Sequence, residues 1–315
     1  MKEAEIIIVG AGPAGSTCAR ELRQAGKEVL ILDKREFPRT KLCAGWVTPR
    51  VWKLLGVKAE EYPHSVLKFK RLHYFFGRKK IALPTRQYSI RRFEFDAWLL
   101  QRAQVDFLHH EVKNIRQDDD GFVIDDRFRC KILVGAGGTN CPVYRTFFAR
   151  HKPRQPEKRI ATMELEFPFQ YKDSNCYLWF FDNDLTGYSW YVPKGNGFLN
   201  IGIGGKLTTM QQKNQTIQQH WSFFVKKLLD LSLIDSNPGP VKGYQYFLRQ
   251  DDSVQLKDVY LIGDAAGLAT IDMGEGIGPA IHSGILAARA ILSQQPYSIN
   301  AIPRFSLWDI LFWWR

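Results

Sequence analysis

The sequence predicts an α/β fold of two lobes that interleave along the chain, one on a parallel sheet and one on a mixed β-sheet. Three observations lead there. The chain opens on an apolar strand, Ile6-Ile7-Ile8-Val9, that runs directly into Gly10-Ala11-Gly12-Pro13-Ala14-Gly15 and a helix from Ser16. Near its far end a second apolar strand, Val259-Tyr260-Leu261-Ile262, runs into Gly263-Asp264-Ala265-Ala266-Gly267. Between them, residues 160–205 alternate apolar and polar positions as half-buried strands do.

The first turn has the spacing G-x-G-x-x-G, and the strand after its helix, Val29-Leu30-Ile31-Leu32, ends in Asp33 and Lys34. Gly10 permits a tight turn, Gly12 lets the backbone approach a pyrophosphate, and Gly15 lets helix and strand pack closely. Pro13 and Ala14 stand at the helix start, whose unpaired N–H groups and dipole favour phosphate. Asp33 occupies the place where a carboxylate accepts ribose hydroxyls. Strand, turn, helix and acid together make a Rossmann-like dinucleotide site.

The far end of the chain selects the dinucleotide. Gly263-Asp264 leads to Gly274-Glu275-Gly276-Ile277-Gly278-Pro279 and a helix from Ala280 to Leu292. A domain for nicotinamide alone has no need of this second element, whereas the longer FAD crosses the sheet. Asp264 then meets its ribityl chain, and the glycines let backbone approach the isoalloxazine. The helix start would stabilise negative charge at the N1–C2 edge. The alternative is an ordinary strand-loop-helix with a glycine cluster, which does not explain the paired positions at the two ends of the chain.

On these residues, with Arg39-Thr40-Lys41-Leu42-Cys43-Ala44-Gly45 and Arg92-Phe93-Glu94-Phe95-Asp96, the chain to about residue 295 resembles a known group. This is the FAD-dependent geranylgeranyl reductase group of the p-hydroxybenzoate-hydroxylase-like flavoprotein superfamily. Tyr188-Ser189-Trp190-Tyr191-Val192-Pro193 is similar to the reductases' Y-x-W-x-F-P motif, with Val192 in place of phenylalanine. The resemblance implies an FAD-binding domain of residues 1–60, 88–158 and 245–295, a β-rich substrate domain of 61–87 and 159–244, and a tail of 296–315. It implies that Arg39, Ala44, Gly45, Arg92 and Gly137 lie at the cofactor. Cys43 matches a loop near the flavin, and Tyr188 and Trp190 match the substrate motif. The implied chemistry is reduction of C=C bonds in an isoprenoid or other apolar substrate by hydride from reduced FAD, with Cys43 or a tyrosine supplying the proton. The electron donor would be NAD(P)H or a ferredoxin-type protein. Two alternatives stay open: a flavin monooxygenase or halogenase, and a flavin-bearing electron-carrier or binding subunit. The superfamily's A-D-G-x-x-S reads here Ala136-Gly137-Gly138-Thr139-Asn140-Cys141, without the aspartate, which weighs against the hydroxylase. Gly202-Ile203-Gly204-Gly205 lacks a third spaced glycine, so no separate NAD(P)H module is expected.

Composition agrees. With 315 residues, 45% hydrophobic and 24% charged, the chain can bury the cores of two lobes. The net charge of +12 is dispersed and accompanies no nucleic-acid module, so it fits an anionic ligand, an acidic partner or a membrane surface. Five cysteines, an odd number without metal-ligand spacing, read as free thiols, and seven histidines form no metal box. No run of about 20 apolar residues and no leader are present, so a cytoplasmic protein, peripheral to membranes at most, is expected. Strand alternation puts Tyr188 and Trp190 on one face and Ser189 and Tyr191 on the other. Helices are expected over 92–105 and 217–229. The aromatic end, Phe305 to Trp314, should form a helix that packs on the chain, between subunits, or in a membrane interface.

Overall fold

The computed structural model describes residues 1–250 and 253–307, which pack as two compact units. One comprises Met1–Arg39, Phe93–Arg154 and Phe247–Leu307; the other includes Thr40–Arg92 and Gln155–Tyr246.

The first unit is built on a six-stranded sheet. Its order is Gln255–Leu256, Val259–Leu261, Ile132–Gly135, Ile6–Val9, Val29–Asp33, Asp106–His109. Every pairing is parallel except the first. Ile6–Val9 is buried at all four positions, which is why it shows no polar alternation. From this central strand the chain passes to Val29–Asp33 on one side, and Ile132–Gly135 takes the other. The strand order therefore reverses there and opens a crevice at the carboxyl ends. The helix Pro13–Gln24 lies against the helix Ile277–Ser293, where a Cβ at Gly284 would stand 2.5 Å from the Ala14 carbonyl oxygen. A second, four-stranded sheet joins Lys2–Glu3, Phe128–Cys130, Gly121–Ile124 and Ile115–Asp118. Sequence patterning did not anticipate it, because strands such as Ile-Arg-Gln-Asp are short and polar.

The second unit is built on a seven-stranded sheet. Its order is Lys242–Phe247, Arg159–Pro168, Phe198–Lys206, Gly187–Lys194, Cys176–Phe180, Arg71–Phe76, Lys79–Pro84. One face, with Ala161, Met163, Ile201, Ile203 and Tyr191, forms a core with Trp221, Phe224, Val225 and Leu228 of the helix Ile217–Asp230. That helix starts from a capping box between Thr216 and Gln219. The register Glu164–Gly202–Trp190 places these three residues on the opposite face, together with Glu166, Asn200 and Tyr188. Alternation thus separates Trp190 from Tyr191 as expected.

A three-stranded sheet of Trp46–Val47, Tyr88–Ile90 and Val66–Lys68 also belongs to the second unit. Residues 40–60 and 88–92, expected with the first lobe, therefore pack here, because Trp46 pairs with Ser89 and Ile90 donates to the Gly45 carbonyl. The helix expected over 92–105 spans Arg92–Ala103, since Gln104 adopts a left-handed conformation (φ 51°) that ends it.

Among the described residues no helix is long and apolar enough to cross a membrane. Most of the expected C-terminal helix lies outside the described residues. Phe305 and Leu307 are exposed, while Ser306 is buried, with its N–H on the Asp272 carboxylate at 3.0 Å and its hydroxyl 3.1–3.2 Å from Thr270 and Asp272.

Candidate functional site

In the first unit three turns follow adjacent strands at the reversal point: Gly10–Gly15, Gly137–Asn140 and Gly263–Ala266. Gly10 has φ 115°, and a Cβ there would overlap the Ala136 carbonyl; one at Gly15 would overlap the Gly10 carbonyl. Gly12 differs. A Cβ there would meet only the Arg39 guanidinium, at 3.7 Å, so the space above this turn is open and faces a cation. Arg39 is held there by the fully buried Asp96, whose Oδ2 lies 3.3 Å from Nη2.

The helix Pro13–Gln24 has no side-chain cap, so no capping side chain occupies its N-terminal end beside Gly12. Asp33 accepts the Ala11 N–H through Oδ2 at 2.8 Å and the Arg35 N–H through Oδ1 at 2.9 Å. Each carboxylate oxygen keeps a lone pair for a ribose hydroxyl. Lys34 is exposed and contributes its carbonyl to His109.

At the far turn, Gly263 has φ 60° and packs on Ala14, and the Asp264 carboxyl lies beside Gly276, 3.5 Å from where its Cβ would be. Arg154, one of the dispersed basic residues, holds this arrangement. It donates to the Thr139, Ala265 and Asp264 carbonyls and so ties the middle turn to the last one. Gly137 packs on Cys141. At the start of Ile277–Ser293, Glu275 accepts the Gly278 N–H at 3.1 Å, while Gly274 turns at φ 61°. One donor of that helix end is thus taken by the chain itself.

The second unit gathers the remaining candidates. Cys43 is a free thiol, half-buried, and its Sγ accepts the Gly45 N–H at 3.3 Å. Ala44 is half-buried beside it. Gly45 turns at φ 65°, and a Cβ there would overlap the Ile90 carbonyl and stand 2.6 Å from Lys194 Nζ. Lys41 lays its ammonium on the Tyr244 ring, 3.1 Å from the centroid. Arg92 is buried at the start of its helix. Trp190 folds over Gly202 and Gly204, where a side chain would overlap or touch the indole. Its ring neighbours Tyr188, centroids 5.7 Å apart, and Tyr188 continues to Phe180 at 5.2 Å.

This aromatic face borders a charged cluster that sequence reasoning missed. Lys194, fully buried, donates to Glu166 Oε2 at 2.6 Å, and Arg91 donates to Glu166 Oε1 at 2.8 Å. Despite its burial, these cations hold the Glu166 carboxyl below the usual carboxylate range. Asn200 completes the group, accepting from Trp190 and reaching the Cys43 carbonyl. Its one mark in the sequence is Lys194, which directly follows the aromatic motif. Among the described residues no His/Cys/Asp/Glu group could hold a metal.

The first unit thus fits the diphosphate and ribose of FAD: an open glycine turn, an uncapped helix start, a facing arginine and a two-oxygen acceptor. Residues 8–41 match the NAD(P)-binding Rossmann-like domain family. The chain is similar to an uncharacterised protein of Methanosarcina barkeri, 32% identical over 313 residues that cover 93% of this chain and 76% of the relative. It is also similar to digeranylgeranylglycerophospholipid reductase 2 of Methanosphaera stadtmanae, 26% identical with 97% and 82% covered. Its fold is that of a geranylgeranyl bacteriochlorophyll reductase-like protein of Thermoplasma acidophilum, with TM-score 0.79 at 21% identity, covering 95% of this chain and 81% of that one. With the glycine turn, Asp33 and Asp264 in place, the chain belongs to the geranylgeranyl reductase-like family of FAD-dependent oxidoreductases.

Proposed function

We propose that this protein reduces carbon–carbon double bonds of an isoprenoid or similarly apolar lipid. The observation that carries the reading is the sheet face on which Trp190 lies over Gly202 and Gly204 with the Tyr188 ring beside it: an aromatic surface whose polar groups are fixed by one another. The relative from Methanosphaera, a reductase of a geranylgeranyl lipid, supports the substrate class.

When bound, FAD supplies the hydride. Gly10, Gly12, Pro13, Ala14 and Gly15 with Arg39 receive its diphosphate, Asp33 its adenosine ribose and Asp264 its ribityl chain. Gly274, Gly276, Ile277 and Gly278 line the approach of the flavin, with Arg92 and Gly137 as supporting positions. Trp190 and Tyr188 orient the apolar chain, and the Cys43–Gly45 loop closes on it. Electrons arrive from NAD(P)H or a ferredoxin-type protein, and the apolar substrate itself is compatible with delivery from a membrane surface.

The test begins with purification. The protein should be yellow and release FAD on heating. Reduced with dithionite and given a geranylgeranyl lipid, it should yield a product that mass spectrometry shows to have gained pairs of hydrogens. A folded, colourless protein without affinity for FAD overturns the reading, and oxygen-dependent hydroxylation would replace it with a monooxygenase.

A further inference from the structure

Glu164 has no task in that scheme, yet its setting is unusual. It stands opposite Gly202, which in turn stands opposite Trp190. Because Gly202 lacks a side chain, the indole and the Glu164 side chain close over one point. A Cβ there would overlap the indole and lie 2.8 Å from Glu164 Cβ. Glu164 is 3% exposed, and its Oε1 has no hydrogen-bond partner.

A buried carboxyl oxygen left unpaired is costly, and proteins keep such groups mainly where a ligand or a reaction uses them. Glu166, two residues further on the same face, shows the contrast, since Lys194 and Arg91 occupy both its oxygens. The charges acting on Glu164 are Lys194, Lys41 and Arg92, which favour the carboxylate, and Glu166, which opposes it. Burial outweighs the cations and pushes the group up to about 7. Burial therefore favours its protonated form well above the pH at which an ordinary carboxyl ionises, the state suited to general acid work. Cys43, the residue singled out by the sequence, already uses its sulfur to accept the Gly45 N–H.

Resting on the reductase reading above, we infer that Glu164 is a further catalytic residue: the acid that delivers the proton to the substrate double bond on the Trp190 side of the sheet. Reduction adds one hydride and one proton. The π bond breaks and two C–H bonds form. The hydride's electron pair comes from reduced FAD, which is oxidised, and the proton leaves the Glu164 carboxyl as its O–H bond breaks. Lys194, Lys41 and Arg92 steady the carboxylate that remains, and water reprotonates it.

The experiment compares the FAD-loaded wild type with Glu164→Gln and Glu164→Asp, using geranylgeraniol as the probe and dithionite as the reductant. FAD content and quenching of tryptophan fluorescence by geranylgeraniol report binding independently of turnover. Infrared difference spectroscopy on the oxidised protein reports the carboxylic acid directly. The wild type should show a protonated-carboxyl band that titrates near pH 7, shifts when geranylgeraniol binds, and is absent from Glu164→Gln. Glu164→Gln should keep FAD and geranylgeraniol binding while kcat falls roughly 100-fold or more at unchanged KM. Wild-type kcat should decline as pH rises through about 7. That limb should vanish in Glu164→Gln and return in Glu164→Asp. A carboxyl band unmoved by geranylgeraniol, or a Glu164→Gln protein with wild-type kcat, overturns the proposal while leaving the reductase reading intact. A wild type that binds neither FAD nor geranylgeraniol removes both together. If Glu164→Gln does not fold, the wild-type infrared titration and the Glu164→Asp profile still decide.

Discussion

Trp190 and Asn200 are tied across neighbouring strands: the indole N–H donates to Asn200 Oδ1 at 2.7 Å, and both residues are buried. The same amide donates from Nδ2 to the Cys43 carbonyl at 3.5 Å. One side chain therefore orients both the indole and the cysteine loop. Replacing Asn200 by leucine leaves the indole N–H buried and unpaired, at about 1–3 kcal/mol. Calorimetry should register the loss, and tryptophan fluorescence should broaden as the ring is freed. Asn200→Asp keeps the acceptor and should recover most of both. Equal behaviour of the two variants would show that the bond does not hold the ring.

Gly202 tests how closely that ring lies on the sheet. A methyl group there overlaps the indole, so Gly202→Ala should destabilise by about 1–3 kcal/mol through overpacking. Pairing it with Trp190→Phe should relieve most of the penalty, because the smaller ring vacates the overlapped position. A double variant no more stable than Gly202→Ala would place the strain elsewhere.

The two turn glycines of the first unit should separate binding from folding. At Gly12 a side chain meets only Arg39, so Gly12→Val should fold with a near-native melting temperature and lose FAD. At Gly15 a side chain overlaps the Gly10 carbonyl, so Gly15→Val should fail to fold. Circular dichroism with flavin absorbance distinguishes the two outcomes, and retention of FAD by Gly12→Val would remove that turn from the cofactor site.

Lys194→Met should be among the most damaging single changes in the second unit. It leaves Glu166 partly buried with Arg91 as its remaining ion-pair partner, and breaking such a pair from one side costs about 3 kcal/mol. Denaturant titration should show the drop, and Lys194→Met with Glu166→Gln should recover part of it. Full additivity of the two changes would deny the coupling.

Glu164 gives stability a pH dependence of definite sign. Burial raises its folded-state pKa to about 7 from its ordinary value of 4.5, so between those values the folded chain binds the proton more tightly than the unfolded one. The contribution is complete below about 4.5 and is lost as pH rises through about 7. The loss approaches about 3 kcal/mol, at 1.36 kcal/mol per unit. Glu164→Gln never ionises, so its melting temperature relative to wild type should rise between about pH 5 and pH 8. A constant difference across that range would show that Glu164 does not titrate there.

By itself the sequence determined the elements whose evidence is local. Ile6 to Gly15 and Asp33 announce their strand, turn and acid because backbone geometry at Gly10 and Gly15 admits no other residue and because a doubly buried strand must be apolar throughout. It also determined that Trp190 and Tyr188 share a face, since side chains in a strand alternate with a period of two whatever the strand pairs with. Tertiary structure alone decided the polar company those aromatics keep. Cys43, Glu164, Glu166, Lys194 and Asn200 come from four separate stretches, and only strand order and register bring them to one face. Nothing around Glu164 in the sequence distinguishes it from Glu166. One carboxylate hydrogen-bonds Lys194 and Arg91 and the other leaves its Oε1 without a partner, because a displacement of two residues along a strand changes which donors are within hydrogen-bonding reach. Arg154 was invisible for the same reason: its donors meet the Thr139, Asp264 and Ala265 carbonyls only after the sheet has set their strands side by side.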